Sequence, residues 1–85
     1  MTPDLEKLRA HADAVDALFA DNVTRLNAMV EAQGVIVQYD RSPMREMALQ
    51  SLAKSVVRMQ EMQAALSPYS RTLRLYVGEV ERKQG

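Results

Sequence analysis

Three pairs of basic residues in the second half of the chain could contact phosphate groups. Their spacings of three or four residues place both side chains of a pair on one face of a helix. The pairs are Arg41 and Arg45, Lys54 and Arg58, and Arg71 and Arg74. Lysine and arginine bind the phosphates of duplex DNA without reading its sequence, so all six are candidate DNA-binding residues. For any single pair, a solvated face or contact with an acidic helix is the favoured alternative.

Residues that could perform catalysis or hold a metal ion are few and scattered. His11 is the single histidine and the chain has no cysteine, so a metal site would need carboxylates or a second subunit. Helix packing or a surface position is the better interpretation of His11. Asp13 and Asp16 lie one turn apart without a neighbour that would assign them acid and base roles, and we expect them on a solvated face. The sequence predicts no catalytic residue, no metal site, no cofactor and no enzymatic activity.

Charge is distributed unevenly, although the net charge of the chain is zero. Residues 1–40 contain three basic and seven acidic residues, a net charge of −4. Residues 41–85 contain eight basic and four acidic residues, a net charge of +4. The two halves are therefore expected to attract each other, within one chain or between chains. Steering of an anion is the less favoured alternative, because the acidic half would repel it.

The composition predicts a single all-α domain over residues 1–85. Hydrophobic residues make up 47% of the chain but aromatic residues only 5%, which suits helix packing better than a sheet core. Three glycines and three prolines are too few for the turns of an all-β fold. No run of about 18 apolar residues is present, and the first residues lack the apolar core of a signal peptide. We therefore predict a cytoplasmic protein without a membrane partner.

Three prolines mark predicted helix starts, because each follows a serine or threonine that can cap the first turn. The pairs are Thr2-Pro3, Ser42-Pro43 and Ser67-Pro68. They predict helices at about residues 3–33, 43–66 and 68–83. Gly34 would end the first helix, and residues 35–40 are expected to form an extended loop rather than a strand. One continuous second helix kinked at Pro68 is the competing interpretation.

Apolar residues at spacings of three and four form a stripe along each long helix. The predicted packing positions are Leu5, Leu8, Val15, Phe19, Leu26, Leu49, Leu52, Val56, Met59 and Leu66. Two long helices with a short connection are expected to form an antiparallel hairpin. The first helix would be roughly 45 Å long and would need a neighbour along its whole length. The predicted fold is therefore an oligomeric, antiparallel helical hairpin followed by a short C-terminal helix.

Two polar residues, Asn22 and Gln63, interrupt the apolar stripes. A polar residue within such a stripe can fix the register of two helices at some cost in stability. The alternative is that each lies at the edge of the helix pair and contacts water. The sequence leaves these two interpretations equally favoured.

The order of these elements is similar to that of a known family. The segment AQGVIVQYD follows the first helix, Ser42-Pro43 opens the second, and LSPYSRTLRL follows it. Over roughly residues 5–75 this resembles the C-terminal, oligomerising part of the phage terminase small subunit family. There the second helix begins at Asn-Pro or His-Pro, and a tail of the type Leu-Gly-Leu-Thr-Pro-x-x-Arg-x-x-Leu follows. Here Leu66-Ser67-Pro68 takes the place of Leu-Thr-Pro, Ser70-Arg71 and Leu73 continue the pattern, and Ala65-Leu66 replaces the family's Gly-Leu.

The resemblance implies a non-enzymatic viral DNA-packaging factor in the cytoplasm of an infected or lysogenic bacterial host. Small subunits of this family form rings, engage double-stranded viral DNA and regulate the ATPase and nuclease activities of the large terminase subunit. Arg71 and Arg74 would then lie in a segment available to DNA or to the large subunit. Family members usually have an additional N-terminal region without a counterpart here, so oligomerisation is expected more than DNA recognition. The alternative is a dimeric helical-bundle adaptor or regulatory protein that binds only other proteins.

Overall fold

The computed structural model describes residues 4–84, which form two long helices joined by a short loop. Helix α1 spans Leu5–Ile36 and helix α2 spans Pro43–Gln84. Arg9 near the start of α1 forms an ion pair with Glu81 near the end of α2, so the helices are antiparallel. The resulting hairpin is 63 Å long and 18 by 17 Å across. The prediction of an all-α fold is confirmed for the part of the chain described.

Helix α1 begins at a capping aspartate and ends later than predicted. The Asp4 side chain accepts a hydrogen bond from the backbone N–H of Lys7 at 3.3 Å, which satisfies one free amide of the first turn. The predicted start at Thr2-Pro3 lies outside the described residues. The prediction that Gly34 ends the helix is wrong, because the helix continues to Ile36. The extra residues bring Ile36 to a half-buried position while Gly34 stays exposed, so packing overrides the weak helix preference of glycine.

The loop over residues 37–42 contains turns and no strand. The predicted loop over residues 35–40 is therefore confirmed from residue 37 onward, whereas Val35 and Ile36 belong to α1. Ser42 caps the following helix, since the backbone N–H of Arg45 donates to its Oγ at 3.1 Å. Pro43 takes the first helical position, where its missing N–H is not needed. The predicted start of the second helix is therefore confirmed.

The separate third helix predicted from Ser67-Pro68 is wrong, because α2 continues through Pro68 to Gln84. An interior proline removes one helical hydrogen bond and costs about 3 kcal/mol. Contacts with α1 directly after the proline hold the helix together across it. Tyr69 contacts His11 and Ser70 hydrogen-bonds to Asp16. The structure instead agrees with the competing interpretation, in which the second helix is continuous through Pro68.

The buried core lies where the first half of α1 meets the last part of α2. It consists of Ala12, Val15, Leu73 and Val77, with Leu8 packed against them. Within residues 4–84, Val56 is the one further buried hydrophobic residue. The ten predicted packing residues are all buried or half-buried. The hairpin therefore has a thin core, formed by one stripe from each helix.

Candidate functional site

An ion-pair cluster joins the two helices beside the core. The Arg74 guanidinium donates to Asp13 Oδ1 at 3.0 Å and, through Nε, to Asp16 Oδ2 at 2.8 Å. The Ser70 hydroxyl donates to the other oxygen of Asp16. The hydroxyl of Ser70 and then the guanidinium of Arg74 hold the pKa of Asp16 below its ordinary value, and Asp16 and Asp13 raise the pKa of Arg74. Arg74 therefore contacts the acidic helix α1, which is the alternative that the sequence favoured over phosphate binding.

This cluster adds a contact to the solvated face expected for the two aspartates. Asp13 is 73% and Asp16 41% exposed, and both also bind Arg74 across the helix pair. Together with the pair of Arg9 and Glu81 at 2.7 Å, the cluster shows that charged residues of the two halves attract each other within one chain. Part of the uneven charge of the sequence is therefore neutralised inside the hairpin.

Arg45 holds the end of α1 instead of facing solvent. Its side chain is only 14% exposed and donates to the carbonyl oxygens of Ile36 at 3.4 Å and Val37 at 3.0 Å. It also pairs with Glu46 at 2.6 Å. A cation at the C-terminus of a helix satisfies free carbonyl groups and interacts favourably with the helix dipole. Arg45 is therefore engaged within the chain and is not oriented toward an external phosphate.

The remaining four candidate DNA-binding residues are exposed. They are Arg41, Lys54, Arg58 and Arg71, and none forms an ion pair within residues 4–84. Lys54 and Arg58 lie one turn apart on α2, as their spacing predicts. Arg71 lies thirteen residues beyond Arg58 on the same helix, a distance of roughly 20 Å along the axis. The structure thus spaces these cations along the hairpin and does not gather them into one patch.

Asn22 is buried between the helices and is only 4% exposed. Its side-chain amide donates to the backbone carbonyl of Met59 at 3.0 Å, which links one position of α1 to one position of α2. The structure thus favours the register interpretation of Asn22. The side-chain oxygen of Gln63 is also buried, and it has no hydrogen-bond partner in the described part of the chain.

His11 lies at the surface of the hairpin and contacts an aromatic residue of α2. Its Nε2 is 2.8 Å from the hydroxyl oxygen of Tyr69, and the two rings meet edge to face. Among residues 4–84, no group of three or more histidine, cysteine or acidic side chains could hold a metal ion. In the structure, His11 therefore joins the two helices.

The two sides of the hairpin differ in charge. The charged flank consists of Leu18, Asp21 and Arg25 of α1 and Arg58 and Met62 of α2. On the other side, Phe19 and Leu26 line a groove with Gln60 and Ala64. Helical spacing extends this side to neighbouring uncharged residues. We call the uncharged residues on this side the uncharged flank: Phe19, Val23, Leu26, Val30, Ala53, Val57, Gln60 and Ala64. Lys54, Arg58 and Glu61 border it next to Ala53 and Val57.

The sequence predicts only part of the uncharged flank. Phe19 and Leu26 are predicted packing residues, but Ala53, Gln60 and Ala64 give no such signal because none is strongly apolar. The signal that was available is the absence of charge at successive spacings of three and four residues. This pattern indicates a surface only when the pairing of the helices shows which side of each stripe faces outward.

Comparisons with protein-family models, curated proteins and solved structures found no match for this chain. The similarity to phage terminase small subunits therefore rests on the sequence segments alone, and what it implies stays a prediction. Neither α1 nor α2, within the described residues, is long and apolar enough to cross a membrane.

Proposed function

We propose that this protein is a non-enzymatic helical-bundle protein that self-associates and acts by binding other proteins. The observation that carries the proposal is the imbalance between buried and exposed hydrophobic residues in the hairpin. Within residues 4–84, five hydrophobic residues are buried, whereas twelve large ones each expose at least 46% of their surface. Extended exposed apolar surface is typical of protein interaction sites.

The architecture supports the same proposal. Stable domains bury the apolar side of each element against another layer, and a hairpin of two helices offers only one stripe per helix. Val30 of α1 and Val57 of α2 remain about half exposed in the hairpin, at 48% and 51%. Association would remove such residues from water, and burying a valine side chain fully contributes about 1.5–3 kcal/mol.

Thermal unfolding at several protein concentrations tests the proposed self-association. Since association stabilises the folded state by mass action, the melting temperature should rise as the concentration increases from about 1 to 100 μM. A melting temperature that does not change over this range would contradict self-association.

A second proposal is a terminase small subunit-like ring that engages DNA and regulates a large terminase subunit. Two observations favour it: the similarity of sequence segments, and the exposure of Arg41, Lys54, Arg58 and Arg71 without ion pairs in the described part of the chain. The commitment of Arg45 and Arg74 to contacts within the chain reduces the available cations and places this proposal second.

Binding to duplex DNA measured at several salt concentrations tests the second proposal. Each phosphate contact contributes about −0.9 to the slope of log affinity against log salt. If Lys54 and Arg58 contact phosphates, the double variant Lys54→Gln, Arg58→Gln should bind more weakly and lose about 2 from that slope. Arg25→Gln is the control, because Arg25 already pairs with Asp21 at 2.8 Å and its loss should leave the slope unchanged. No salt-dependent binding by the unaltered chain would contradict the proposal.

A further inference from the structure

Building on the proposed self-association, we propose that a second copy of this chain covers the uncharged flank. The two α2 helices would lie antiparallel across a two-fold axis, so that two hairpins form a four-helix bundle. In this arrangement, the uncharged flank of one chain packs against the same flank of its copy.

The face of α2 on the uncharged flank lacks charge over most of its length. Between Glu46 and Arg71, alternating spacings of four and three residues select Gln50, Ala53, Val57, Gln60, Ala64 and Ser67. The charged flank instead carries Arg58 and the ion pair of Asp21 and Arg25. Because burial of charged groups is costly even when they are paired, the uncharged flank is the side that a closely packed helix can cover more easily.

The two ends of this face carry opposite charges. Glu46, which also pairs with Arg45 within the chain, lies at one end and Arg71 at the other, and both are exposed. In an antiparallel pair of α2 helices, Glu46 would face the partner's Arg71, and Arg71 would face the partner's Glu46. A parallel pair would instead place like charges together at both ends, which is destabilising. Charge therefore favours an antiparallel second copy.

The positions of this face have the same symmetry. Glu46 and Arg71, Gln50 and Ser67, Ala53 and Ala64, and Val57 and Gln60 share one midpoint, between residues 58 and 59, and of these pairs Ala53 and Ala64 match in size. A two-fold axis at this level would place Ala53 opposite the partner's Ala64 at both ends of the contact. Small residues at facing positions allow two helices to approach closely, so the α2 helices could pack tightly.

Helix α1 has an approximate counterpart of this symmetry. Val23 and Val30 share a midpoint with Phe19 and Gly34, between residues 26 and 27. Asn22 contacts Met59, so this midpoint lies about four residues from the α1 residue that is opposite the α2 midpoint. Val23 would then lie near the partner's Val30, and Phe19 near the partner's Gly34. A Cβ at Gly34 would meet no atom within 4 Å, so a neighbouring ring could lie against that open backbone.

A charge placed on the uncharged flank tests the surface. Val57→Glu should raise the dimer dissociation constant at least about 100-fold, because it would place a carboxylate next to Glu61 and opposite an uncharged residue of the partner, where it loses water without gaining a cation across the interface. Val57 is 51% exposed in the hairpin, so the hairpin should keep its helical circular dichroism. The matched control is Met62→Glu on the charged flank, where Met62 is 48% exposed, and this variant should remain dimeric. A dimeric Val57→Glu variant, or dissociation by Met62→Glu, would overturn the proposed surface.

Disulfide cross-linking tests the antiparallel arrangement, since the chain has no cysteine of its own. A disulfide requires Cα atoms within about 7 Å. An oxidised mixture of Ala53→Cys and Ala64→Cys chains should form cross-linked dimers between the two kinds of chain. Either variant alone should cross-link far less. Efficient cross-linking of Ala53→Cys with itself would indicate a parallel pair and overturn the arrangement.

These outcomes separate this proposal from the one on which it rests. A chain that is monomeric at all concentrations contradicts both the self-association and the proposed surface. A chain that associates, but whose Val57→Glu variant associates equally well, keeps the proposed function and overturns only the surface and its symmetry.

Discussion

At the scale of single residues, Asn22 has the clearest structural role. It is buried, and its amide binds the Met59 carbonyl across the helix pair. A hydrogen bond of this kind contributes about 0.5–1.5 kcal/mol net to stability. It also specifies which residues of the two helices face each other, a role known for polar residues in helix pairs.

Replacement of this residue should therefore lower stability. We expect Asn22→Ala to reduce the free energy of unfolding by about 1–2 kcal/mol, from the lost hydrogen bond and lost packing. Urea unfolding followed by circular dichroism measures the difference. Asn27→Ala is the matched control, because Asn27 is exposed on the same helix and its replacement should change little. Equal effects of the two substitutions would contradict the role of Asn22.

Asp16 is predicted to make stability depend on pH. Its pKa in the folded chain is lowered by Ser70 and Arg74, and that of an unfolded aspartate is about 3.9. A lowered folded-state pKa gives stabilisation that is present above the unfolded value and lost as the pH falls through the folded value. The unaltered chain should therefore be more stable than Asp16→Asn at pH 7, and the difference should shrink below about pH 4.

Thermal unfolding of both chains between pH 7 and pH 3 checks this expectation. Asp21→Asn serves as control, because Asp21 pairs with Arg25 within α1 alone and its replacement should have the smaller effect at pH 7. The prediction would be contradicted if the difference in melting temperature between the unaltered chain and Asp16→Asn grew as the pH fell.

At the scale of elements, the sequence predicts what depends on local signals and misses what depends on packing. The start at Ser42-Pro43 follows from capping chemistry, and the apolar stripes predict two paired helices. The extension of α1 past Gly34 and the passage of α2 through Pro68 could not be predicted in this way. Both depend on contacts between helices, such as Ser70 with Asp16, that override local preference.

Pro68 should therefore destabilise α2, which stays continuous because of its contacts with α1. We expect Pro68→Ala to raise the free energy of unfolding by about 1–3 kcal/mol, because alanine restores a helical hydrogen bond and removes a steric clash. Chemical denaturation gives the value. Pro43→Ala is the control, since a proline at the first helical position replaces no hydrogen bond and its loss should not stabilise the chain. A less stable Pro68→Ala variant would indicate that the proline has a required role in shaping α2.

At the scale of the whole molecule, the hairpin is long, thin and unequal on its two sides. The charged residues of its two halves meet within the chain at the Arg74 cluster and at the pair of Arg9 and Glu81. The uncharged flank has no such pairing and leaves half-exposed valines beside a groove. The sequence predicts that the helices need neighbours, but the side that we propose for a neighbour could be chosen only from the way the two helices pair.

The most direct test is the mass of the assembly, measured by native mass spectrometry of the unaltered chain at micromolar concentration. We expect a species of twice the chain mass of 9.6 kDa, as two hairpins joined through their uncharged flanks. A monomer throughout the micromolar range would contradict self-association. A single closed assembly of many subunits would contradict the two-fold dimer and favour the terminase-like ring instead.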